Sequence, residues 1–68
     1  MEPSDALLIA QAALIKAKSQ EMHHHAHEIE KAINTLNHAI KIDCRASIEF
    51  ALSVLMAAVD DFKNTGAE

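Results

Sequence analysis

Between Pro3 and Gly66 the chain contains no other proline or glycine, so about sixty consecutive residues lack the two strongest local breakers of a helix. Nothing in that span alternates apolar and polar residues with the period of two that a half-buried strand needs. Thirteen alanines and only two aromatic residues, Phe50 and Phe62, complete a composition suited to closely spaced helices. The chain is therefore expected to be all-α, as a single domain over 1–68.

The helical stretch carries a heptad column, Leu8, Ile15, Met22, Ile29 and Leu36, and four residues after each member stand Ala12, Ser19, Ala26, Ile33 and Ile40. Such a pattern reads as a coiled-coil-like seam. Between Leu36 and Ile48 the phase of the stripe jumps by roughly a quarter turn. Lys41-Ile42-Asp43 is the natural place for a bend, with Asp43 able to cap a second helix. At the ends, Ser4 followed by Asp5 suits an N-cap, and Lys63-Asn64-Thr65-Gly66 supplies a basic last turn with an exit glycine. The expectation is an antiparallel helical hairpin, with a long helix over about 5–41 and a shorter one over about 44–63. Two alternatives are a single long helix with a stutter and a three-helix bundle broken near Ser19-Gln20-Glu21. The heptad column crosses that second point without interruption, which favours the hairpin.

At ~1.5 Å per residue the long helix would measure roughly 55 Å and the short one about 30 Å, leaving Ala6 to Lys18 as an overhang. This overhang contains Leu7, Leu8, Ile9, Leu14 and Ile15, spread around the helix, each worth ~1.5–3 kcal/mol when buried. The second helix also has two apolar faces. Ile48, Leu52, Leu55, Val59 and Phe62 line one, whereas Ala46, Phe50, Val54 and Ala57 line nearly the opposite one. A domain of this size buries only roughly 60% of its unfolded surface, and the single cysteine, Cys44, excludes an internal disulfide. Partner chains or a metal must supply the missing stabilisation. A dimeric four-helix bundle would cover both the overhang and the Phe50 face.

Glu21 to Glu30 contains His23, His24, His25 and His27, and His23 with His27 has the i,i+4 spacing that can chelate a transition metal. Glu21 with His25 and His24 with Glu28 repeat that spacing, while His38 is too far along the same helix to join. Four histidines on one helix point in different directions, so closed coordination needs a ligand from another helix or copy. A solvated face is the plain alternative. A pH response is another, since protonating all five histidines takes the net charge from −4 to +1. Cys44, beside Arg45 at a helix start, is expected to pack as a small hydrophobe more readily than to act as a reactive thiol. No nucleophile elbow, catalytic triad or glycine-rich phosphate loop is present, so the chain is not expected to be an enzyme.

Six basic and ten acidic residues give no field that would draw the chain to nucleic acid or anionic lipid. Nothing near Met1-Glu2-Pro3-Ser4-Asp5 has the basic character of a signal peptide, and the longest apolar run is too short to span a bilayer. A cytoplasmic location is expected. The leading expectation for function is a non-enzymatic protein–protein interaction module, an adaptor, chaperone or inhibitor, that self-associates or holds another helical protein. The proposed contacts are Phe50, Val54, Ala46 and Ala57, with Leu7, Leu8, Ile9, Leu14 and Ile15. A metal- or pH-responsive protein using His23 and His27 is the second reading. Binding of structured RNA is the third, by architectural likeness alone to the small Rop-type plasmid regulators, with which the chain shares no motif.

Overall fold

The computed structural model describes residues 2–66, which form three helices: α1 (Pro3–Ser19), α2 (His23–Ile42) and α3 (Arg45–Gly66). The all-α expectation holds, and the long helix over 5–41 does not: the chain reverses at Gln20, Glu21 and Met22 as well as at Asp43 and Cys44. Each helix contacts both of the others, so the fold is a three-helix bundle with extents of 36 × 16 × 16 Å.

The same hydrogen-bonded motif makes both turns. After α1, the Glu21 N–H donates to the Lys18 carbonyl at 3.1 Å and the Met22 N–H donates to the Ala17 carbonyl at 2.9 Å. After α2, Asp43 donates to Ile40 at 3.0 Å and Cys44 to Ala39 at 3.4 Å. These are Schellman pairs, in which the residue just past the cap adopts the left-handed conformation so that the last carbonyls find partners. Glu21 (φ 57°) and Asp43 (φ 55°) hold that position, although it favours glycine. The next residue then starts the following helix, since the Met22 and Cys44 carbonyls accept from Ala26 and Ile48 at 2.9 Å each. Asp43 therefore ends α2 instead of capping α3. At the amino end α1 begins at Pro3 with Glu2 before it and no side-chain cap, so Ser4 is already helical. Proline fits there because its missing N–H would lack a helical partner anyway.

The core explains why α1 folds back. Ala6, Ala10, Ala13 and Ala17, spaced four, three and four apart, form a buried column facing α2 and α3. Alanine brings little bulk, so α1 can lie close to its neighbours, with Leu7, Ile9 and Leu14 packed at the edges of the contact. Opposite them, Ile29, Leu36, Leu55 and Val59 are the large side chains wholly removed from water. Phe62 closes this core at the end where α1 and α3 finish and α2 begins.

Two parts of the heptad column are displaced from the expected seam. Ile29 and Leu36 are buried and Met22 is half-buried, whereas Leu8 and Ile15 remain 66% and 69% exposed. Among the small members, Ala26 and Ile33 are buried while Ala12, Ser19 and Ile40 are exposed. The column straddles a chain reversal, so its α1 and α2 halves belong to different helix faces. No overhang survives: α1 is covered by the chain's own helices. In α3 the stripe is as expected, with Leu55, Val59 and Phe62 buried and Ile48 and Leu52 half-buried.

Candidate interaction surface

The second stripe of α3 runs along a groove that α3 shares with α2. Phe50 is 68% exposed, and Val54, Ala46 and Ala57 on the same stripe are also exposed. Near the α2–α3 turn the groove opens into a hollow of about 330 Å³ where Ile42, Ala46 and Phe50 meet Thr35, His38 and Ser47. Further along, a second hollow of about 530 Å³ has Ala32, Val54, Ala57 and Ala58 on its floor, with Glu28, Lys31 and Asp61 among its polar residues. No α1 residue lines either hollow. This surface is small side chains bordered by large exposed apolar ones, a relief into which a ridge of another helix fits.

The other residues expected to meet a partner divide. Leu7, Ile9 and Leu14 are half-buried against the chain's own core, which reduces their need for outside cover. Leu8 and Ile15 stay exposed, two helical turns apart on the outer side of α1. The bundle thus has apolar side chains on α1 and, separately, along the α2–α3 groove.

The histidines do not converge. His23, His24, His27 and His38 are exposed, and among the described residues no group of three or more His, Cys, Asp or Glu side chains gathers around a common point. Glu21 lies in the left-handed turn, so it does not form the expected helical pair with His25. His25 is the exception to the exposed set. Its ring lies 5.8 Å from that of Phe62 and its Nδ1 is 3.7 Å from an Asp61 oxygen, so it covers the end of the core from α2. His24 meets the His25 ring edge-on at 5.7 Å. Sequence spacing alone did not single out His25, because its role depends on α3 returning beside the start of α2.

Cys44 is exposed, so it is not the packed small hydrophobe that its column suggested. It sits immediately before α3, where hydrogen bonds from the Ser47 side chain, the Ser47 amide and the Ala46 amide draw the thiol below its ordinary range. Partial desolvation by neighbouring atoms and the Asp43 carboxylate oppose that shift. Arg45, the neighbour favoured from sequence, is not among the causes.

No protein family model, curated protein or solved structure matches this chain. The surface must be interpreted from its own chemistry. Among the described residues no helix is long and apolar enough to cross a membrane.

Proposed function

We propose that this chain is a non-enzymatic interaction module whose α2–α3 groove receives a helix of another chain, with a second copy of itself as the first partner. The observation supporting this reading is Phe50, a large aromatic side chain left 68% exposed on a groove floored by alanines. Covering such a side chain is worth about 1.5–3 kcal/mol, and aromatic residues in the middle of an apolar patch are the usual anchors of an interface. Val54 and Ile42 extend the patch, and Thr35, Ser47 and His38 give it a polar border.

Sedimentation equilibrium of the full chain and of Phe50→Asp tests the proposal. The unsubstituted chain is expected to self-associate at micromolar concentration, and Phe50→Asp to sediment as a monomer with unchanged helicity. A chain that is monomeric at every concentration, or a Phe50→Asp variant that associates equally well, overturns it.

A further inference from the structure

We propose that the hollow between α1 and α3 is a binding site for a small alkyl carboxylate, its chain lying on the apolar floor and its head group meeting Lys16 and Lys63. This hollow is separate from the α2–α3 groove and measures about 500 Å³, within the ~300–1,000 Å³ range of small-molecule sites. Ile9, Ala12 and Ala13 from α1 and Phe62 from α3 provide its apolar lining. Phe62 is only 4% exposed and is backed by the His25 ring, so that wall is held in place by α2. The two alanines keep the space open, since a larger side chain at either position would occupy it.

The charged groups among the described lining residues of the hollow are of one sign. Lys16 comes from α1 and Lys63 from α3, and both line the same space, as does Gln20. Among the described residues no carboxylate lines the hollow, although the chain carries ten acidic residues against six basic ones. The neighbouring hollow on the α2–α3 side has both Glu28 and Asp61. Each lysine also stands in the last turn of its helix, where it offsets the carbonyl end of the dipole. That role requires neither an apolar hollow nor two lysines lining the same one. An alkyl cation would be repelled here and a neutral alcohol would use only the floor. An alkyl carboxylate uses both, because each ammonium can donate a charge-assisted hydrogen bond to it.

Titration of the full chain with decanoate, followed by calorimetry and by backbone amide chemical shifts, tests the site. One decanoate is expected to bind per chain, with shifts concentrated at Ile9, Ala13 and Phe62. Decanol should bind at least about tenfold more weakly, as should decanoate to the Lys16→Gln/Lys63→Gln variant, whose exposed substitutions leave the helices intact. Ala12→Phe, also at an exposed position, should block the hollow and abolish binding. Phe50→Asp should bind decanoate normally, which separates this site from the α2–α3 groove. Absence of saturable binding, equal affinity for decanol, or undiminished binding by the double lysine variant overturns the proposal.

Discussion

Glu21 and Asp43 occupy equivalent positions in two equivalent turns, and neither is the residue that the left-handed conformation favours. A β-carbon in this region costs roughly 1–2 kcal/mol, less for Asp, whose short side chain is better tolerated. Replacing Glu21 by glycine removes that strain while adding freedom to the unfolded chain, an opposing effect of about 0.4–1 kcal/mol. Glu21→Gly is therefore expected to stabilise the bundle by up to ~1 kcal/mol, and Asp43→Gly by less. Urea unfolding midpoints check this, and a lower midpoint for Glu21→Gly would count against a left-handed turn there. At Cys44, hydrogen bonding to Ser47 stabilises the thiolate. Alkylation by iodoacetamide should reach half its limiting rate at a lower pH in the folded chain than in urea. Ser47→Ala should move the folded midpoint upward; an unchanged pH profile would exclude Ser47 as the cause.

Among the helices, α1 poses the sharpest choice, because it is apolar on nearly every side and can present either of two columns to its neighbours. Its alanine column is buried, and Leu8 and Ile15 lie roughly 180° away. The buried orientation also gathers Leu7, Ile9 and Leu14 at its edges, whereas the opposite one would bury only Leu8 and Ile15 among the large side chains. Counting large residues flanking each column, beyond those within it, would have revealed this preference. Substitution separates the two orientations. Ala10→Leu should overpack the contact and cost about 1–3 kcal/mol, while Leu8→Gln should change monomer stability by no more than about 0.5 kcal/mol. Thermal denaturation of both variants decides the matter, and the reverse ranking would place Leu8 in the core. The two faces of α3 were easier to distinguish, because each is a continuous stripe inside one uninterrupted helix.

For the whole molecule, three short helices replace the expected long overhang and so reduce the need for a partner. The core is still small, and Leu36 is one of its four largest wholly buried side chains. Leu36→Ala is expected to cost about 2–5 kcal/mol, a large share of the ~5–15 kcal/mol typical of a folded domain. A fall in urea midpoint with the α-helical spectrum retained would match that account, and no fall would contradict the burial of Leu36. The charged contacts matter less. Lys18 and Glu30 join α1 to α2 at 3.6 Å, but both side chains are more than half exposed, where such a pair contributes at most about 1 kcal/mol. Deleting 2–18 would now uncover the α2–α3 core directly, whereas the hairpin would have lost only an overhang.

The sequence alone determined that the chain is helical, because an unbroken run without proline or glycine and a 3.6-residue apolar period leave little alternative. It also identified the buried and exposed faces of α3, including Phe50, since both stripes lie within one helix and keep one phase. It offered the first chain reversal only as an alternative, a break near Ser19-Gln20-Glu21, and favoured an unbroken helix there instead. Glu21 carries no local mark of a turn, and the heptad column crosses the reversal by coincidence of spacing. Only tertiary contact decided that α1 buries its alanines, that His25 meets Phe62, and that Lys16 and Lys63 line one hollow. Each of these is a relation between helices, set by how closely their side chains let them approach, and periodicity along one helix contains no information about the distance to the next.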